Sequence, residues 1–203
     1  SVLNQFLHAK GASKNHKVVA EKYYDGSEYS VDGIVIDDTP IVLSIAKKNN
    51  LGKNFNFIMS GFSVDFPFKN EKERCVIEKA GIESVISLGI SNSFFSVDIL
   101  LSDSKAVVLE CGVLLDCKVD RLLYFAGIDV YSFFVRMATK LPVITPRLSN
   151  ISSVALSFIF SNKKGVLIHK NKFNTENSVL EWERNEGDTI HPPKSISDTI
   201  GWV

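Results

Sequence analysis

The sequence has no surplus of either charge: 23 Lys and Arg balance 23 Asp and Glu. A nucleic-acid surface needs basic excess to meet phosphates, so no nucleic-acid partner is expected. There is no apolar run long enough to span a bilayer and no signal-peptide pattern at the start, so no membrane role is expected either. Cysteine is scarce. Cys75, Cys111 and Cys117 are odd in number and lack metal-ligand spacing, which points to a reduced, cytoplasmic compartment in which they act as small hydrophobes. The four histidines, His8, His16, His169 and His191, have neither ligand spacing nor a partnered nucleophile, so a hydrolytic triad is not expected and a surface position is. Repeats and low-complexity tracts are missing. So is an initiator Met: Ser1 to Lys10 reads as a helix with Leu3, Phe6, Leu7 and Ala9 apolar, and the expectation is a chain that begins inside a longer gene product.

What is present is hydrophobic enough, at 45% of 203 residues, for one large domain or one domain with a small appendage. Lys17 to Ala20 reads as a buried strand. Asp25-Gly26-Ser27 marks a turn, Tyr29 to Ile36 alternates as a strand, and Asp37 to Pro40 turns it into Ile41 to Ala46. Residues 48–70 read as a long polar loop. Glu71 to Gly89 has helical spacing, with Val76, Ile77, Ala80, Val85 and Leu88 on one side. Two strands flank Ser102-Asp103-Ser104, and helices are expected at Arg121 to Phe125 and Val130 to Lys140, the second ended by Leu141-Pro142. Short strands follow at Ala155 to Phe160, Gly165 to Ile168 and Val179 to Trp182. This order fits an α+β architecture, with one domain over 1–143 and a small β-rich unit over 144–203.

The two strands around Asp103 carry one acid each. A three-residue loop at Asp103-Ser104-Lys105 sets Asp98 opposite Glu110, Leu100 opposite Val108 and Ile99 opposite Leu109. A two-residue loop puts the acids on opposite faces. Paired, their Cβ atoms lie about 5 Å apart, and two such carboxylates need a cation between them or a raised pKa. Mg²⁺ prefers one or two carboxylates together with phosphate oxygens. The local reading stays divided between a Mg-nucleotide site and a solvent-facing hairpin with two unrelated acids.

Upstream, Val18-Val19-Ala20-Glu21-Lys22-Tyr23-Tyr24-Asp25-Gly26-Ser27-Glu28-Tyr29 resembles the hinge of the ATP-grasp ligases, in which a strand ends in Glu, runs along adenine and turns through Gly to a second Glu. D-alanine–D-alanine ligases and biotin carboxylases have hinges of this kind. The resemblance implies that Glu21, Lys22, Tyr23 and Tyr24 border adenine and that Glu28 accepts from the ribose hydroxyls. It places a phosphate-facing, catalytic lysine at Lys47, with Lys48 as the alternative, and makes Asp98 and Glu110 the metal-binding acids. The cofactors implied are ATP and Mg²⁺. The substrates implied are a small-molecule carboxylate and an amine, joined through an acyl phosphate. The fold implied is the C-terminal half of the ATP-grasp domain, an antiparallel sheet with helices, followed by a small β unit.

Two departures stand out. The family pattern Glu-x-Asn-x-Arg is here Glu110-Cys111-Gly112-Val113-Leu114, so the Asn is Gly112 and the Arg is Leu114. Lys118 or Arg121 are candidates for the missing charge and Asp116 for an added ligand. Alternatively, Asp116, Lys118, Asp120 and Arg121 form the polar face of a helix start, with Val119, Leu122 and Leu123 inward. The family's glycine-rich phosphate loop and its upstream lysine have no counterpart, so the missing N-terminal part of the protein is an expected partner, alongside a possible second copy. Against the ligase stand two alternatives: a degenerate nucleotide-binding or scaffold module, and a plain α+β interaction domain.

Overall fold

The computed structural model describes residues 2–52, 58–64, 70–144, 153–172, 174–175 and 177–203. Its centre is a hairpin that the sequence encodes in two aspartates. β1 (Ser27–Ile36) and β2 (Thr39–Asn50) pair antiparallel up to Ile36 and Thr39. Asp37 and Asp38, at φ 46° and 62°, make the two-residue turn. Two successive left-handed residues match the twist of the flanking strands, which suits Asp and its tolerance of that region.

β3 (Met59–Val64) pairs with the far end of β2. The polar loop expected over 48–70 is therefore in part strand: β2 runs to Asn50, and Phe62 and Val64 are core residues. Polar side chains at 48–50 hid a strand whose one face meets solvent. Residues 53–57 and 65–69 lie outside the described residues.

α2 (Glu71–Ser87) starts at Asn70, whose side chain accepts from the backbone N–H groups of Lys72 and Glu73. Glu71 and Glu73 suit the positive end of the helix dipole. It ends as Gly89 turns to φ 65°. Its buried stripe is Ile77, Gly81 and Val85, packed on Tyr29, Val31, Val97 and Ile99 of the sheet. Each such aliphatic side chain contributes about 1.5–3 kcal/mol when fully buried. Val76 and Leu88, expected on this stripe, are 37% and 63% exposed; the helix meets the sheet on a strip narrower than its apolar spacing. Gly81 lets the helix approach, since a Cβ there would sit 2.9 Å from Val31 Cγ1.

β4 (Phe94–Ser102) pairs with β1 and with β5 (Lys105–Gly112). α3 (Val119–Phe125) and α4 (Val130–Ala138) follow. Val119, Leu122 and Leu123 point inward, as the helix-start reading expects. Beyond α4, β6 (Val154–Ile159), β7 (Gly165–Val166), β8 (Asn174–Thr175), β9 (Ser178–Val179), β10 (Glu181–Trp182), β11 (Thr189–Ile190) and β12 (Gly201–Trp202) are mostly two-residue strands. The main sheet has eight strands in the order β10-β12-β6-β3-β2-β1-β4-β5, each neighbouring pair antiparallel. The architecture is α+β, as expected.

The sheet has two differently covered faces. α2 covers one. The other carries a second core of Ile34, Leu43, Phe62, Leu122, Phe133 and Trp202, built with α3 and α4. That core spans only part of the second face. The remainder, across β2, β1, β4 and β5, is polar. α1 (Val2–Ala12) forms as expected but buries no residue. The strand expected at Lys17 to Ala20 does not form, and Val19 is 82% exposed. Both edges of β1, the strand this segment leads into, are already taken by β2 and β4.

Candidate nucleotide site

Three cross-strand rows build the polar part of the sheet. Lys48 lies beside Glu28. Ala46, Ser30, Asp98 and Glu110 stand in line, and so do Ser44, Asp32, Ser96 and Gly112. Alternation along each strand turns these residues away from α2. Ala46 and Ser30 are fully buried and small. Their size leaves the space through which the Lys48 side chain crosses from β2 to β4.

Asp98 and Glu110 are partners, although the turn between them is not the one expected. Ser102 pairs with Lys105, so the loop is the two-residue Asp103-Ser104, with φ 48° and 60°. On a regular ladder that loop would set the two acids on opposite faces. A β-bulge intervenes: Ile99 pairs with Val108, Asp98 with Glu110, and Leu109 is the extra residue. The bulge reverses the phase of β5 and returns Glu110 to the face of Asp98. The expected partners Leu100–Val108 and Ile99–Leu109 are accordingly replaced by Leu100–Val107 and Ile99–Val108.

Lys48, and not Lys47, reaches the carboxylates. Lys47 pairs with Tyr29 on the α2 side and is exposed. The Lys48 ammonium lies 2.6 Å from Asp98 Oδ2, 2.8 Å from Asp116 Oδ2 and 3.4 Å from Glu28 Oε1. Burial works against its charge, but its pairing with the Asp116 and Asp98 carboxylates outweighs it and holds its pKa above the usual lysine range. Asp98 is raised: burial, with the charges of Asp116 and Glu28, exceeds the attraction of Lys48. Asp116 meets Lys48 as an ion pair outside hydrogen-bonding geometry.

Asp32, which no motif singled out, is fully buried. Its Oδ2 accepts from Ser30 Oγ at 2.6 Å and its Oδ1 from the Asp116 backbone N–H at 3.0 Å. Ser30 Oγ in turn lies 3.1 Å from Ser96 Oγ. Burial pushes the Asp32 carboxyl up to about 6, in spite of these bonds. The sequence signal was available: Ser30 and Asp32 alternate with Tyr29, Val31 and Gly33 in an otherwise apolar strand.

Neither candidate for the missing arginine stands in the site. Lys118 Nζ is held at 2.7 Å by Glu183, which raises its pKa. Arg121 lies 3.9 Å from Asp120, which also accepts from the Tyr131 hydroxyl at 2.6 Å. Leu114 is 75% exposed. A cavity of about 330 Å³ is lined by Ser96, Asp98, Glu110, Leu114 and Asp116 among others, and among the described residues no lysine or arginine lines it. Two larger cavities, of about 480 and 670 Å³, share no residue with this group. Glu21 to Tyr24 belong to no strand or helix and are exposed, with Lys22 Nζ 4.8 Å from the centre of the Tyr24 ring. All four histidines are exposed, and so are Cys75 and Cys117, so only Cys111 is partly buried.

The acids fit a divalent cation in one specific respect. Asp98 Oδ1 is buried without a hydrogen-bond partner, a state that costs about 1–3 kcal/mol unless something fills it. Among the described residues no group of three or more His, Cys, Asp or Glu is arranged to hold a metal ion. A cation at Asp98 and Glu110 would therefore draw further oxygens from elsewhere, as Mg²⁺ does from phosphates.

No family model matches the sequence, and no curated protein matches it. Solved structures do. Phosphoribosylglycinamide synthetase from Anaerococcus prevotii is similar at 16% identity and a TM-score of 0.73, over 99% of this chain and 53% of that one. L-amino acid ligase from Bacillus licheniformis is similar at 20% and 0.72, over 89% and 46%. The biotin carboxylase domain of the Hydrogenobacter thermophilus 2-oxoglutarate carboxylase, solved with MgADP and bicarbonate, is similar at 11% and 0.73, over 99% and 47%. The chain has the ATP-grasp fold, and it spans about half the length of the structures it matches. Among the described residues no helix is long and apolar enough to cross a membrane.

Proposed function

We propose that this chain is the C-terminal portion of a Mg-ATP-dependent ligase that joins a small carboxylate to an amine. The observation that carries the reading is the convergence of Lys48, Glu28 and Asp98 on one face of an ATP-grasp sheet, with Asp98 Oδ1 left unpartnered. Bound Mg-ATP supplies the phosphoryl group that activates the carboxylate as an acyl phosphate. The chain's own part is positioning and charge. Asp98 and Glu110 hold the metal. Lys48 takes the phosphate-facing role first given to Lys47. Glu28 receives the ribose hydroxyls, and Glu21, Lys22, Tyr23 and Tyr24 border adenine. The remaining half of the nucleotide enclosure comes from the part of the fold this chain does not span.

The test is release of ADP by the longest natural protein that contains this chain, screened with pairs of carboxylates and amines. Asp98→Asn and Glu110→Gln should each lower turnover by about 100-fold or more, as loss of a charge-stabilising group does. Turnover that persists in both variants sinks the metal assignment. A second reading has its own support. Leu114 replaces the family arginine, and Lys118 is held by Glu183. A degenerate module predicts MgADP binding by the same protein with no ADP released from ATP for any substrate pair.

A further inference from the structure

The buried group beneath the site does something the nucleotide reading does not use. The segment 113–118 leaves β5, passes over the sheet and enters α3, and Asp116 is the point where it touches down. Its backbone N–H bonds to Asp32, its carboxylate meets Lys48, and its Oδ1 accepts from the N–H of Cys117 at 2.6 Å. Asp32 itself is closed to solvent and cannot reach a ligand. It lies under the segment, held by Ser30, with Ser96 behind Ser30. Ser44, at the position paired with Asp32 on β2, is also buried, and its hydroxyl has no partner. A carboxylate in this setting is costly unless its bonds are specific, and the Asp116 N–H is one of the few it has.

We propose that Asp32 is the positioning residue of this site: by holding the Asp116 backbone it fixes the Asp116 carboxylate, which in turn aims the Lys48 ammonium. Lys48 is a flexible chain on one strand, and its direction is set by what receives its charge. Asp98 receives it from the sheet and Asp116 from above. Without the bond from Asp32, the Asp116 backbone keeps only its local bond from the Val119 N–H and loses its tie to the sheet, and Lys48 falls back on Asp98 and Glu28 alone. The inference rests on the nucleotide reading for its purpose but not for its geometry.

The experiment is NMR on the 203-residue chain with MgADP as the probe. In the unaltered chain the Asp116 amide proton should be shifted downfield and protected from exchange. In Asp32→Ala that protection should fall by about tenfold or more, the value of one hydrogen bond to a charged group. The Lys48 ammonium resonances should move toward those of Asp116→Ala. MgADP affinity should drop by a similar factor. Asp32→Asn, which keeps the volume and an acceptor oxygen, should restore most of the Asp116 protection and most of the affinity, and Asp32→Val, which keeps bulk but offers no acceptor, stands in if the alanine variant does not fold. An Asp116 amide that exchanges freely in the unaltered chain overturns the proposal. So do Lys48 resonances that respond to Asp116→Ala but not to Asp32→Ala or Asp32→Val. Either result leaves the nucleotide reading intact. If Lys48 follows Asp32 as described and MgADP never binds, the brace stands and the nucleotide reading falls.

Discussion

Lys48 is one ammonium serving three carboxylates, with only 11% of its side chain exposed, and this makes it the residue on which the site's electrostatics depend. Lys48→Met leaves Asp98 and Asp116 facing one another in a poorly solvated place. Removing one partner of a buried pair costs about 3–5 kcal/mol, and partial exposure of both acids brings this nearer about 2. In a chain of this size the melting temperature should fall by roughly 4–8 °C. The loss should shrink on acidification, as Asp98, already raised, becomes neutral. Lys47→Met should change it little. Thermal melts of both variants between pH 5 and 8 make the comparison. Asp32 offers a cleaner pH signature. Its folded pKa of about 6 lies above the ordinary 3.8, so its contribution to stability is full below about pH 4 and is lost as pH rises through 6. Asn imitates the neutral acid. Asp32→Asn should gain on the unaltered chain by up to about 3 kcal/mol between pH 4 and pH 7, at about 1.36 kcal/mol per pKa unit. Urea melts at several pH values report it, and a pH-independent difference contradicts the buried-acid account.

At the scale of elements, most of the hairpin was legible and one residue of it was not. The apolar runs around Ser102-Asp103-Ser104 announce two strands, and the acids come at the right places. Loop length could not be read, because Asp103-Ser104 closes as a tight turn equally well with or without Lys105. Only packing over the whole strand selects the bulge. The same limit explains Lys47 against Lys48, since adjacent lysines at a strand end carry no local clue to their faces. It explains β3 as well, whose polar approach at residues 48–50 reads as loop. Asp32 was readable as a polar break in an apolar strand, but its role depends on a segment 84 residues later in the chain. Deletion of Leu109, which is 53% exposed, should leave a regular ladder in which Asp98 still pairs with Glu110. Mn²⁺ should broaden resonances at both acids in this variant and in the unaltered chain alike. Broadening confined to one of them would contradict the register.

At the scale of the molecule, the chain is a continuous sheet with one face closed by α2 and the other closed only in part. The structures it resembles are about twice its length, and on the proposed function the open part of this face is where a nucleotide would lie. Affinity from one half should be modest but visible. MgADP at about 100 times its Kd stabilises by about 2.7 kcal/mol, which for this length is roughly 5–10 °C in melting temperature. The shift should be lost in Asp98→Asn and when EDTA replaces Mg²⁺. An equal shift with and without the metal would leave nucleotide binding in place and remove the two acids from it.

The bulge at Leu109 has a wider consequence. A strand is a text with a two-letter reading frame, inward and outward, and β5 carries a frameshift in its middle. Its outer half, from Lys105 to Val108, is read in the frame set by the turn; its inner half, from Glu110 to Gly112, is read in the other. The correcting insertion lies close to the acid it serves and far from the turn. Changes that lengthen or shorten the turn would be felt first in the outer frame, and the inner one, where Glu110 sits, has its own reset.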